Sequence, residues 1–116
     1  MNNIMLVGRL VNDVKVEITE TGKKFADIVL AITRSFKNDE GIYETDFIDC
    51  RLYGNIAEQT SNYCKKGDLI GIKGRLETYN TTTDNDVKQK HMIVIGDRVT
   101  FLSSIKASVE ESEEDL

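Results

Sequence analysis

The chain has 116 residues, 40% of them hydrophobic and 30% charged, which is the size and balance of one soluble domain with a real core. No apolar run approaches the roughly 20 residues that cross a bilayer, and the start carries no basic segment followed by a signal-like apolar stretch, so a cytoplasmic protein with no membrane partner is expected. The net charge of -5 is unevenly placed: residues 106–116 carry five acids and one base, which leaves -1 for residues 1–105, so an anionic partner is not excluded if the bases share one face.

Residues 2–11 alternate with Ile4, Leu6, Gly8 and Leu10 on one side, pass the Asn12-Asp13 turn signal, and resume at Val14, Val16 and Ile18. One long bent first strand is expected, with Gly8 at the bend where a strand serves both sheets of a small barrel. Thr19 to Lys23 is a hairpin loop. Phe25 to Thr33 is the second strand, with Ala26, Ile28, Leu30 and Ile32 inward. Arg34 to Ile42 is a breaker-rich loop around a solitary Phe36, and Tyr43 to Tyr53 is the third strand. Asn55 to Lys66 changes to helical spacing through Ile56, Gln59/Thr60 and Tyr63/Cys64. Asn55 and Glu58 have the spacing of a capping box, Lys65 and Lys66 suit the negative helix end, and Gly67 suits a left-handed exit. Asp68 to Thr78 is the fourth strand, with Ile72, Gly74 and Leu76 inward. Tyr79 to Lys90 is a long polar loop or a projecting hairpin. His91 to Leu102 is the fifth strand, where a bulge near Gly96-Asp97 puts Val99 and Phe101 in the core. Beyond it the apolar pattern fades into an acidic segment, expected to be disordered.

Three strands, one helix and two strands is the order of the oligonucleotide/oligosaccharide-binding (OB) fold, an all-β, five-stranded Greek-key barrel with its helix between strands three and four. The domain division expected is a barrel over 1–104 and an acidic tail over 105–116. Ligands of such barrels lie on strands two and three and the flanking loops. On the third strand Asp46, Ile48, Cys50 and Leu52 face one way, and Thr45, Phe47, Asp49, Arg51 and Tyr53 the other. Phe47 and Tyr53 either stack bases beside Arg51 or cover a second core, and Phe36 either stacks a base or folds back onto the barrel. Arg9, Arg34, Lys37, Arg51, Lys66, Lys73, Arg75 and Lys88 are candidates for phosphate contact, each with the alternative of a solvated surface charge. Asp49 is the discordant member of its face: it repels phosphate unless it holds Arg51 or faces a neighbouring subunit.

Other chemistries find little support. His91 is the one histidine, no glycine-rich phosphate loop is present, and the acids form no matched pair, so no catalytic residue is assigned. Asp84-Asn85-Asp86 resembles the start of a calcium loop, but the required glycine is missing and Ile95 stands where a bidentate glutamate belongs, so neither a metal nor another cofactor is expected. Cys50 and Cys64 have no CxxC or Cys/His set and are expected as buried reduced thiols.

Five blocks carry a family resemblance: Ile4 to Leu10 (IMLVGRL), Asp46 to Gly54 (DFIDCRLYG), Ala57-Glu58, Tyr63 to Gly67 (YCKKG) and Ile72 to Thr78 (IKGRLET). In this order, over residues 1 to about 102, the chain resembles the bacterial and phage single-stranded DNA-binding proteins. The resemblance implies a homotetramer of barrels that coats single-stranded DNA with little sequence preference in replication, recombination and repair. It implies stacking at Phe36, Phe47 and Tyr53. The family's fourth aromatic falls on Thr81, with Tyr79 two residues earlier as a substitute on the same strand parity. The family's Asp-Pro-Glu after the first strand is here Asp13-Val14-Lys15. It also implies a C-terminal peptide that recruits replication and repair proteins, for which Glu113, Glu114, Asp115 and Leu116 are the residues, without the family's final Pro-Phe. A primosome-type or RNA-binding barrel acting mainly through protein contacts is the alternative.

Overall fold

A computed structural model gives the fold and describes residues 1–103; the acidic tail lies outside the described residues. The elements are β1 (Ile4–Leu10), β2 (Glu17–Ile18), β3 (Lys24–Lys37), β4 (Tyr43–Tyr53), α1 (Gly54–Tyr63), β5 (Leu69–Thr82) and β6 (Lys88–Ser103). They form one sheet in the order β1-β5-β6-β4-β3-β2, and pairing of β1 with β3 closes it into a barrel. The parallel contact is β4 with β6, from Cys50 opposite Val94 to Leu52 opposite Gly96. This is the OB arrangement expected from the element order.

Closure depends on β1 serving two neighbours. It pairs with β5 from Ile4 to Arg9 and passes to β3 at Arg9 and Leu10, opposite Ala31 and Leu30. The handover brings backbones together at Gly8, where a Cβ would lie 2.8 Å from the Ala31 carbonyl oxygen, so glycine is required by space. The single long first strand is not realised. β1 ends at Leu10, and the chain re-enters the sheet only as the two-residue β2, because Val14 turns into the core and Ser61 Oγ of the helix donates to the Val14 carbonyl, 3.0 Å.

The core is Leu10, Ala26, Ile28, Leu30, Cys50, Leu52, Ile70, Ile72 and Val94, from the inward sets of the alternating strands, with Ala57 of the helix and their neighbours. Both cysteines are buried free thiols. The bulge near Gly96-Asp97 is present, for Lys73 pairs with Arg98 and Gly74 with Gly96, which leaves Asp97 as the extra residue. Val99 packs against the core, but Phe101 does not join it. It is 46% exposed and its ring meets that of Tyr63 at 5.8 Å, because the pairing shifts again at Leu69/Ile70. Leu76 also departs from its expected inward place, at 37% exposure, where the strand runs out past the barrel.

The helix is shorter than its periodicity. It runs from Gly54 to Tyr63, its N-cap is Tyr53 with no side-chain cap, and Glu58 ion-pairs with Lys24 of β3 instead of closing a capping box. Lys65 and Lys66 lie beyond the last turn of the helix, which holds no basic residue, and their backbone N–H groups donate to Asp68 Oδ2 and Asp13 Oδ1, each 2.8 Å. Gly67 has φ +93° in that turn and donates to Leu10, 2.8 Å, rather than ending the helix.

The β3–β4 hairpin departs from the expected loop, and the β5–β6 one settles on the second of its two expected forms. The expected loop over Arg34 to Ile42 contains the end of β3, which continues to Lys37, and the polar stretch from Tyr79 to Lys90 is a projecting hairpin whose strands run to Thr82 and from Lys88. Three turns share one design. Thr19, Asn38 and Thr83 each accept at their carbonyl from the residue three ahead, and each uses a side-chain oxygen to accept the N–H four ahead, at 3.0, 3.0 and 3.2 Å. The fourth residue is left-handed in each, Gly22 at φ 86°, Gly41 at 78° and Asp86 at 60°. The Asp84-Asn85-Asp86 run is therefore the tip of a hairpin.

Candidate nucleic-acid interface

The alternation that buries Cys50 and Leu52 forces Thr45, Phe47, Asp49, Arg51 and Tyr53 onto the outside of β4. β3 lies beside it in register, so Phe25 stands opposite Tyr53, Asp27 opposite Arg51, Val29 opposite Asp49 and Ala31 opposite Phe47. On the other side the β5–β6 hairpin rises as a wall. Arg51, Tyr53, Glu77, Tyr79, Ile93 and Ile95 enclose a cleft of about 250 Å³. A second of about 230 Å³ continues from Arg51, Tyr79 and Ile93 to Asp27, Val29 and Asp49. Together they make a trough along the outer face of β4, with Phe47 beyond its end, 65% exposed.

Within the trough the rings are already in contact with cations. Lys23 Nζ lies 4.1 Å from the centre of the Tyr53 ring, and the Arg51 guanidinium 4.8 Å from that of Phe25. Arg51 also makes a two-point bond to Asp27, Nε to Oδ1 at 2.6 Å and an outer nitrogen to Oδ2 at 2.9 Å. That hydrogen bond is the first cause of the raised pKa of Arg51. Arg51 thus braces the trough floor, and Asp27, not Asp49, holds it. Tyr79 stacks on His91 at 4.9 Å and 17°, and His91 Nε2 is 2.8 Å from Thr81 Oγ1. Residues 79, 81 and 91 therefore form one group on the wall, which includes both the ring and the threonine that takes the family's aromatic place.

The remaining sites fall into separate groups. At the β3–β4 tip, Phe36 is 64% exposed, and Lys37 Nζ lies 5.7 Å from the ring of Tyr43, itself exposed. Arg34 there is committed to Asp46, 2.9 and 3.0 Å, and to Glu44, 2.8 Å. Arg75 spans Glu77 and Asp97, each 2.8 Å. Arg9 donates to the Gly67 carbonyl, 3.0 Å, at the barrel end that also holds Lys66. Lys73 stands opposite Met5 on the β1 side, away from Phe47, and Lys88 lies opposite Thr82 near the hairpin tip. The three arginines with carboxylate partners are braces, and Lys37, Lys66, Lys73 and Lys88 carry no ion pair among the described residues.

Phe25, Tyr43 and Lys23 were absent from the residues singled out in the sequence. The alternation carried a signal for two of them: Tyr43 shares the parity of Phe47 and Tyr53, and Phe25 the outward parity of Asp27. Lys23 had none, since its place over Tyr53 follows from the turn at Gly22.

A closed five-stranded barrel with exposed rings and cations along its third long strand is an OB-type binding domain. Comparison with known proteins narrows the class. The chain belongs to the single-strand binding protein family, whose model matches residues 1–102. It is 40% identical to single-stranded DNA-binding protein B of Bacillus subtilis over 101 residues, 87% of this chain and 89% of that one. It is also 40% identical to single-stranded DNA-binding protein 3 of Listeria innocua over 105 residues, covering 90% of this chain but 65% of that longer protein. Its fold is similar to that of the Plasmodium falciparum SSB complex with ssDNA, with a TM-score of 0.78 and 25% identity over 89% of this chain and 96% of that one.

Proposed function

We propose that this chain binds and protects single-stranded DNA with little sequence preference, in replication, recombination and repair, as a cytoplasmic protein without catalytic activity. The observation that carries the reading is the exposure of Phe47 and Phe36, 65% and 64%, on the two strands with which barrels of this class hold ligands. Two rings left in water on those strands suit a flat ligand that stacks on them. Bases stack on Phe36, Phe47, Tyr53 and Tyr79, with Phe25 and Tyr43 added to the set. Lys37, Lys66 and Lys88 follow the phosphates, Lys73 stands on the β1 side beside Met5, Arg34, Arg51 and Arg75 orient the surface, and Arg9 marks one end.

The barrel works as a homotetramer in this reading. Met5, Val7 and Leu102 are 80%, 56% and 48% exposed around Gly71 on the β1 side, an apolar face away from the trough that a second copy would cover. The acidic residues Glu113, Glu114 and Asp115 together with Leu116, outside the described residues, are proposed to recruit replication and repair proteins.

The test is a tyrosine-fluorescence titration with poly-dT and with poly-U, alongside Phe36→Ala, Phe47→Ala and Tyr53→Ala variants with melting curves. Quenching by poly-dT that weakens in the variants at unchanged melting temperature supports the reading. Equal response to poly-U favours an RNA-binding barrel, and no quenching by either removes a stacking function.

A further inference from the structure

The two clefts along β4 are lined by three carboxylates, Asp27, Asp49 and Glu77, and by one cation, Arg51. Arg51 gives two hydrogen bonds to Asp27, and Glu77 is held by Arg75, which also meets Asp97. The trough floor thus offers rings to bases but, among the described residues, no uncommitted cation to the phosphates that accompany them, and carboxylates repel phosphates. Lys37 and Lys88 lie towards the hairpin tips and Lys66 at the barrel end. A strand drawn along the trough needs a positive charge at its rim.

Lys23 stands there. Its ammonium lies 4.1 Å from the centre of the Tyr53 ring, the side chain is exposed, and among the described residues it has no carboxylate partner. The next residue differs, for Lys24 ion-pairs with Glu58 of the helix. The Lys23 backbone is fixed at both polar groups: its N–H donates to Thr19 Oγ1, 3.0 Å, and its carbonyl accepts from the Thr19 N–H, 2.8 Å, beside Gly22 at φ 86°. The root of the side chain is therefore anchored, while its head is held by the ring. A cation–ring contact open to water is weak, whereas the bond of an ammonium to a phosphate is charge-assisted, so the head can leave the one for the other at small cost. Lys23 is not among the residues lining the cleft, and its contact leaves the cleft side of Tyr53 to a base.

We propose that Lys23 is the phosphate ligand of this trough: its ammonium rests on the Tyr53 ring in the free protein and turns to the phosphate of the nucleotide stacked there. The inference rests on the single-stranded DNA reading above. It adds the turn at residues 19–23 to the DNA surface and supplies the charge that the trough floor lacks. A phosphate contact carries no base information, so it accords with binding of little sequence preference.

The experiment measures oligo-dT affinity against salt concentration for the wild-type protein and for Lys23→Gln, Lys23→Arg and Lys24→Gln, with melting temperatures alongside. In Lys23→Gln the slope of log affinity against log salt should become shallower by about 0.7, the share of one phosphate on a single strand. Affinity at about 50 mM salt should fall roughly five- to tenfold, with the gap closing as salt rises. Lys23→Arg should keep the wild-type slope. Lys24→Gln, which removes the same charge one residue away, should keep it too. An unchanged slope in Lys23→Gln overturns the inference alone, and so does an equal fall in Lys24→Gln, since net charge then explains the effect. Failure of the wild type to bind oligo-dT at any salt concentration removes the DNA-binding reading itself.

Discussion

On the inner face of the β3–β4 ladder, Ala26, Ile28, Leu30, Cys50 and Leu52 are at most 1% exposed; on the outer face of the same two strands, Phe47 is 65% exposed and Arg51 and Asp27 pair in contact with solvent. The backbone is shared, and the ladder is equally regular for both sets from Phe25 to Thr33. What differs is the solvent. Inside, area removed from water sets the energy, and each methyl group is held by its neighbours. Outside, exposed rings and ion pairs gain little for folding, so they are free to serve a ligand.

The sharpest way to test that division is to cut one side chain from each face. Leu52→Ala should lower folding stability by about 2 to 5 kcal/mol, read from the urea midpoint, because a fully buried leucine leaves a cavity under the helix and β6. Phe47→Ala should instead lower single-stranded DNA affinity by about 1 to 3 kcal/mol at an unchanged urea midpoint. A fall in stability with Phe47→Ala would make the outer ring part of a second core and dissolve the comparison.

Cys50 and Asp49 give a chemical version of the same contrast. Burial first, and the neighbouring Asp49 second, push the Cys50 thiol up to about 12, and burial with Asp68 pushes Cys64 to about 11. At pH 8 the native protein should leave both thiols unreactive towards a disulfide reagent, with full reaction once urea unfolds it. The folded thiols stay protonated where unfolded ones ionise. Stability should therefore decline as pH rises above the ordinary thiol value of 9.0.

The inner face was legible in the sequence because a period of two, interrupted by glycine and turn residues, is a direct record of burial. Ala26, Ile28, Leu30, Ile72 and the Asp97 bulge all follow from it. The outer face was legible in part: parity alone put Phe47, Arg51 and Tyr53 together. It could not say which acid meets which arginine, since Asp27 is 24 residues from Arg51 and reaches it only through the β3–β4 register. Nor could it place the ends of β3 and β5. Polar strands that project beyond the core have no burial pattern, so Arg34 to Lys37 read as loop and Tyr79 to Thr82 read equally as loop or projecting hairpin. Phe101 misled because a second shift at Leu69/Ile70 changed its surroundings without leaving a glycine to announce it.

The smallest effect expected lies where the two faces cease to differ. Asp46 and Arg34 have the parity of the core set, for Asp46 stands opposite Ile32, yet their side chains are 42% and 41% exposed because the barrel ends there. A hydrogen bond from Arg34 holds the Asp46 carboxyl below its ordinary value of 3.8. A carboxyl with a lowered folded pKa stabilises above its unfolded value, and that contribution is lost as pH falls through the lowered one. Exposure keeps the contribution small, so acid should loosen the β3–β4 tip without unfolding the barrel, seen as faster amide exchange at residues 34–46 alone. At neutral pH Asp46→Asn imitates the acid form. It leaves Arg34 with only Glu44 as a charged partner, and the released guanidinium sits beside Phe36 at the tip. Single-stranded DNA affinity should then rise slightly, with a steeper salt dependence equal to no more than about one additional phosphate contact. An unchanged salt slope would mean that Glu44 alone suffices to hold Arg34, and that the tip arginine braces the hairpin whichever carboxylate it is given.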